Sequence, residues 1–196
     1  MNFKNLFIFL NIFLITNCQI IDNKNILMTS IIDKNNTSAP TFYVNNKLIA
    51  FKNDGTYKSD EVWFNDLNKY ILVLRSGKIV QTHGLKKNVE IFDLNIKNIF
   101  EEIIIGNIQE LEYTIRLSNP DSGFLPVTSV FSLEDKLFLS DNNVPDTYKY
   151  LIKEEFNTKS IRWRGINYYW LDGDANVIWS FQSIHPDKID IEYKNK

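Results

Sequence analysis

From residue 41 to the C-terminus, apolar and polar residues alternate in short runs that Asn, Asp, Gly and Ser keep interrupting. A period of two is the spacing of a β-strand, whose successive side chains point to opposite faces. Leu111, Tyr113, Ile115 and Leu117, alternating with Glu112, Thr114, Arg116 and Ser118, form such a strand with one dry and one wet face. Further runs at 41–44 and 47–52 flank Asn45-Asn46, and 70–75 and 78–83 flank Ser76-Gly77. Residues 127–133 and 136–139 flank Glu134-Asp135; 58–64, 148–156 and 189–193 complete the set. The stretch 95–105 fits a strand or a helix equally. Short strands with turns every roughly 8 to 12 residues point to a sandwich or a barrel, and closure would remove exposed edges. The expected fold is all-β, one antiparallel β-barrel of roughly ten strands.

Three of the four tryptophans fall in 160–186, SIRWRGINYYWLDGDANVIWSFQSIHP, which reads as a hairpin. In its second arm Val177, Trp179, Phe181 and Ser183 fall on one face and Ile178, Ser180, Gln182 and Ile184 on the other, the pattern of a strand with one drier face. Gly173 and Asn176 are expected to supply the positive φ of the turn. Aromatic side chains that bury roughly 150 to 250 Å² each suit the middle of a sheet, so the hairpin is expected there.

The start of the chain reads differently. Met1 to Lys4 form a short positive segment, and Leu6 to Ile15 an apolar run interrupted only by Asn11. That is the length of a signal-peptide core and short of the ~20 residues a spanning helix needs. The run ends in Leu14-Ile15-Thr16-Asn17-Cys18, which resembles a bacterial lipoprotein signal, with Asn17 where Gly, Ala or Ser is usual. On this reading residues 1–17 are removed and Cys18, the single cysteine, carries the lipid. One acyl chain binds a membrane only marginally and several hold firmly. Gln19 stands where an aspartate would retain the lipoprotein at the inner membrane, so the outer membrane's periplasmic side is the expected place. Residues 18–39 would be the acylated cysteine and a linker, with a short helix around Ile26, Leu27, Ile31 and Ile32; residues 40–196 would be the barrel domain.

Lys and Arg number 22 against 24 Asp and Glu, a balance that gives no field to attract nucleic acid. His83 and His185, the only histidines, stand in no metal-ligand or catalytic spacing. No nucleophile motif, phosphate loop or dinucleotide fingerprint occurs, and no cofactor or metal is expected. Asp172, Asp174 and Asn176 imitate the opening of a calcium loop, but Val177 and Ser183 stand where its glycine and glutamate belong. The acidic doublets Glu101-Glu102 and Glu154-Glu155 cannot act as glycosidase pairs alone, since neighbours on a strand face opposite ways; both are read as solvated surface. Trp63, Trp163, Trp170 and Trp179 are core positions first, and glycan or partner contacts if exposed.

YILVLRSGKIVQTHGL at 70–85, SGFLPVTSVFSL at 122–133, EEF at 154–156 and NYYWLDGDANVIWSFQSIHPDKIDIEY at 167–193, taken in order with the lipoprotein signal, resemble the YjbF/GfcB family, the group 4 capsule polysaccharide lipoproteins. The resemblance implies a β-barrel-like lipoprotein that serves capsule or exopolysaccharide secretion or assembly. It brings no catalytic residues. The expected function is therefore a non-enzymatic accessory factor, held by a lipid anchor and partnered by other proteins of an export system. The alternatives are a polysaccharide-binding module using exposed aromatics and, last, a carbohydrate-active enzyme.

Overall fold

The structure is a computed structural model that describes residues 40–57, 60–94, 96, 99–107, 109–134 and 148–195. Cys18, the signal segment, the linker with its expected helix, and the expected strand at 136–139 lie outside the described residues.

Thirteen strands are described. They are β1 (Thr41–Val44), β2 (Lys47–Ile49), β3 (Lys52–Tyr57), β4 (Asp60–Asn65), β5 (Tyr70–Arg75), β6 (Lys78–His83) and β7 (Val89–Phe92). After a short helix α1 (Ile99–Ile104) come β8 (Gln109–Leu117), β9 (Phe124–Glu134), β10 (Tyr150–Thr158), β11 (Trp163–Leu171), β12 (Val177–His185) and β13 (Ile189–Lys194). All belong to one antiparallel sheet in the order β2-β1-β13-β12-β11-β10-β9-β8-β7-β6-β5-β4-β3. Asn45 and Asn46 both take positive φ, as do Ser76 and Gly77, the geometry that two-residue hairpin turns require. A Cβ on Gly77 would also drive into Val177.

The expected closed barrel of roughly ten strands is corrected to an open sheet of thirteen. The strand expected at 47–52 ends at Ile49 as β2; after Ala50-Phe51 a separate strand, β3, runs from Lys52 to Tyr57 where none was expected, and β2 and β3 are the opposite edges of the sheet. No ladder joins β2 to β3. Both edges are poor templates for pairing: β2 has three residues with Lys47 and Leu48 exposed, and β3 is bulged between Asn53 and Gly55. Since only two residues separate β2 from β3, the sheet must curl until its edges nearly meet. Side chains seal the seam instead of a ladder. Phe42 on β1 lies 5.0 Å from Phe51, 5.2 Å from Trp63 on β4 and 5.2 Å from Tyr193 on β13, while Asn65 Nδ2 donates to the Ala50 carbonyl at 2.6 Å.

The inner face carries the main core, including Leu72, Leu74, Ile79, Ile115, Phe131, Ile152, Tyr169 and Ile191. The undecided stretch 95–105 resolves as α1, which packs Ile99, Phe100 and Ile103 against this core and leaves Glu101 and Glu102 outside on its first turn, where carboxylates favour the helix dipole. On β8 the expected alternation holds, with Tyr113, Ile115 and Leu117 buried and Glu112 and Arg116 exposed.

The aromatic hairpin lies within the sheet, but Val177 and Trp179, expected on one face, stand on opposite faces. The register slips between Trp170 and Leu171, so Trp170 pairs with Trp179 and Leu171 with Val177. That bulge sends Val177 inward and Trp179 and Phe181 outward, where Leu151, Trp170 and Trp179 form a second cluster with Tyr168. The inner face of β12 is the polar one, with Ser180, Gln182 and Ile184. Positive φ in the turn falls on Ala175, not on Gly173 or Asn176.

Candidate functional site

Burying polar groups is costly unless each finds a partner, so a charged cluster inside this core marks its least ordinary place. Glu154 stands on β10 between Ile152 and Phe156, and parity turns it inward while Glu155 faces out. Among the described residues it is the only buried carboxylate. Lys78, at the start of β6, reaches it across the interior, with Nζ donating to Oε1 at 2.7 Å and Oε2 at 2.6 Å. Oε1 also accepts from Ser129 Oγ at 2.7 Å and Tyr113 OH at 3.2 Å. Oε2 accepts from Asn167 Nδ2 at 2.8 Å and Tyr169 OH at 2.7 Å. The Lys78 ammonium donates to Tyr169 OH as well, at 3.2 Å, and lies within 6 Å of the ring centres of Tyr113, Phe131 and Tyr169.

The electrostatics follow from this crowding. Burial alone would push the Glu154 carboxyl up, but the charge of Lys78 and the hydrogen bonds of Lys78, Asn167 and Tyr169 outweigh it and hold the group below the ordinary carboxylate value. Burial, reinforced by the Glu154 charge, pushes the phenols of Tyr113 and Tyr169 well above theirs. Carboxylate and phenols are therefore locked as acceptor and donors. A general base must reach a proton on its substrate, and Glu154 is saturated by five donor groups and fully shielded from solvent.

Beside it, Gln182 ties β12 to the β5–β6 turn, its Oε1 accepting from Ile79 N at 2.9 Å and its Nε2 donating to the Gly77 carbonyl at 2.8 Å. The interior space that Lys78, Tyr113, Asn167 and Gln182 border is a cavity of about 30 Å³. A water needs roughly 10 to 15 Å³ by this measure, so the space suits a water or two.

The acidic doublet read as solvated surface is thus corrected at Glu154, and nothing in the sequence singles out Lys78. The usable signal was parity: Ile152, Glu154, Phe156 and Thr158 share the inward face of β10. The segments that carry the family resemblance meet here, with Lys78 from the first, Ser129 from the second, Glu154 from the third, and Asn167, Tyr169 and Gln182 from the last.

The four tryptophans are not brought together. Trp63 is buried at the seam and donates to Glu61 Oε2 at 3.1 Å. Trp163 is half-buried with its ring edge-on to Phe156 at 4.7 Å. Trp170 and Trp179 are stacked on each other at 4.1 Å and 17° on the outer face, 4 % and 8 % exposed, so each covers a face of the other. Trp179 Nε1 donates to Glu192 at 2.9 Å and its ring lies under the Lys194 ammonium at 4.7 Å. His83 is exposed beside Gln81, and His185 is buried with Nδ1 accepting from Asp187 N at 3.1 Å. Asp172 Oδ1 accepts from the loop's own Asp174 N and Asn176 N, both at 2.9 Å, so this carboxylate closes a turn. Among the described residues no group of three His, Cys, Asp or Glu side chains is placed to hold a metal ion.

A family model described as group 4 capsule polysaccharide lipoprotein gfcB, YjbF matches residues 20–194. The chain belongs to this family. Its members are lipoproteins associated with capsule polysaccharide, which places the protein in the cell envelope with the lipoproteins. Among solved structures, the crystal structure of the hypothetical lipoprotein YmcC from Escherichia coli (K12) matches with a TM-score of 0.67 and 17% identity, covering 80% of this chain and 85% of that one. At that identity the likeness is one of fold. No curated protein matches the sequence.

Proposed function

We propose that the protein is a non-enzymatic accessory factor of capsule or exopolysaccharide secretion or assembly, anchored through lipid on Cys18 to the periplasmic side of the outer membrane. It acts by docking other envelope proteins of the export system, and conduction of the polymer is left to a partner. The observation that carries this reading is the filled interior. Inside the curled sheet core side chains pack from strand to strand, and the space beside the Lys78–Glu154 cluster is about 30 Å³, room for water and none for a sugar chain. The outer face favours a body outside the bilayer: Glu112, Arg116, Glu155 and Arg164 are exposed there, and a midplane Arg or Lys facing lipid costs roughly 2 to 4 kcal/mol. The saturation of Glu154 supports a role without chemistry.

The test pairs a pull-down of the full-length protein, using the products of its neighbouring genes as prey, with conductance in planar bilayers and incubation with the organism's own polysaccharide. Retention of an envelope protein, without pores or chain cleavage, is expected. Stable pores or cleavage by the purified protein alone would contradict the reading.

A further inference from the structure

On the outer face of β8, β9, β10 and β11 lies a groove of about 730 Å³, within the roughly 300 to 1,000 Å³ typical of ligand sites. Strand register sets its lining. Glu112, Thr128, Asn157 and Arg164 stand side by side in one row across the four strands. Two residues along, Glu110, Val130, Glu155 and Ile166 form a parallel row. With strands about 4.8 Å apart, each row spans about 14 Å, and the two are separated by about 7 Å.

The polar groups of the first row are uncommitted. Some exposed charges elsewhere on the surface pair with each other, as in Lys52–Asp66 and Arg116–Asp121. Among the described residues the side chains of Glu112, Thr128, Asn157 and Arg164 have no hydrogen-bond or ion-pair partner. The row therefore offers solvent a carboxylate that accepts, a hydroxyl and an amide that do both, and a guanidinium that donates. In the second row Val130 and Ile166, 39 % and 42 % exposed, set aliphatic surface in alternation with the carboxylates of Glu110 and Glu155.

We propose that this groove binds a segment of an uncharged polysaccharide. Ring hydroxyls both donate and accept, which matches a row of mixed donors and acceptors, and the C–H faces of sugar rings fit the isolated aliphatic positions. A lipid surface would need continuous apolar area. A polyanion would need excess positive charge, and here Glu110, Glu112 and Glu155 face Lys159 and Arg164, with Lys153 already paired to Glu155. The ligand class rests on the polysaccharide role proposed above; the place rests on the groove.

The experiment is affinity electrophoresis of the detergent-solubilised full-length protein in native gels containing dextran, a neutral mannan, a neutral galactan or alginate. At least one neutral polymer should retard the protein, and alginate should retard it at least tenfold more weakly by apparent Kd. Asn157→Ala combined with Arg164→Ala should weaken the neutral interaction at least tenfold, and Lys52→Ala, on the exposed Lys52–Asp66 pair, should not. Equal thermal midpoints of the variants show that the fold is kept. Retardation by none of the neutral polymers, stronger retardation by alginate, or an unchanged double variant would each overturn the proposal. Loss of a co-purifying envelope protein from the double variant, with mobility in every neutral polymer unchanged, would make the groove a protein dock; it would end this inference and leave the accessory role standing.

Discussion

Lys78 and Glu154 are 76 residues apart in sequence and 2.6 Å apart inside the curled sheet, both shielded from water. Removing one member of a buried pair typically costs about 3 to 5 kcal/mol, whereas replacing both by apolar residues is often neutral. Here Glu154 also accepts from Tyr113, Ser129, Asn167 and Tyr169, and each donor orphaned in the core costs about 1 to 3 kcal/mol. Lys78→Met should therefore destabilise the protein by about 3 to 5 kcal/mol, and adding Glu154→Leu should not restore it. Urea unfolding of the two variants checks this; a double variant as stable as the wild type would reduce the cluster to a simple ion pair.

Acid should weaken the fold in two windows. Burial holds the His185 imidazole below its ordinary value of 6.5, with Asp187 opposing only in part. The unfolded chain then binds the proton first, so this contribution is complete above 6.5 and is lost as pH falls below it. For Glu154 burial acts upward, but Lys78 and the hydrogen bonds prevail and hold the carboxyl below 4.5; its contribution is present above that value and is lost on further acidification. Urea midpoints should decline through both windows. Glu154→Gln should leave the upper decline unchanged and make the lower one shallower, the remainder belonging to Asp66, Asp121, Asp172 and Asp187, whose carboxyls are also held down. A wild-type midpoint that rises on acidification contradicts this assignment.

Trp179 behaves as a core residue although it lies on the outer face. Its ring is stacked on Trp170, covered by Lys194 and hydrogen-bonded to Glu192. Trp179→Ala should cost about 3 to 5 kcal/mol in chemical denaturation. A cost below about 1 kcal/mol would mean an open ring face and would restore the tryptophan to the candidate glycan contacts.

Gln182→Leu would leave Ile79 N–H and the Gly77 carbonyl without their partners, each worth about 1 to 3 kcal/mol when orphaned in the core. The urea midpoint should fall accordingly, and amide exchange at Ile79 should accelerate. Unchanged exchange there would show that the side chain does not hold the β5–β6 turn.

What could be read from the sequence was local. The Asn45-Asn46 and Ser76-Gly77 turns and the alternation of β8 depend on a few neighbouring residues, and they stand where the pattern puts them. The edges of the sheet depend on whether β2 pairs with β3, across a two-residue link that carries no signal for or against pairing; hence a barrel was expected where an open, curled sheet occurs. The separation of Val177 from Trp179 onto opposite faces rests on a one-residue slip at Trp170/Leu171, and such a slip moves side chains to the opposite face. Glu154 was legible in part. Read as half of an acidic doublet it belongs outside, and read by parity with Ile152 and Phe156 it belongs inside. Lys78 was not legible, since its partner stands on a strand four positions away in the sheet order.

The proposed role is that of a lipid-held body with a packed interior that serves polymer export without chemistry of its own. Surface polysaccharide in a deletion strain, complemented either with the wild-type chain or with Cys18→Ser, tests it most directly. Deletion should abolish surface polymer, the wild type should restore it, and Cys18→Ser, folded and free in the periplasm, should not. Normal polymer in the deletion strain, or full restoration by Cys18→Ser, would contradict the account.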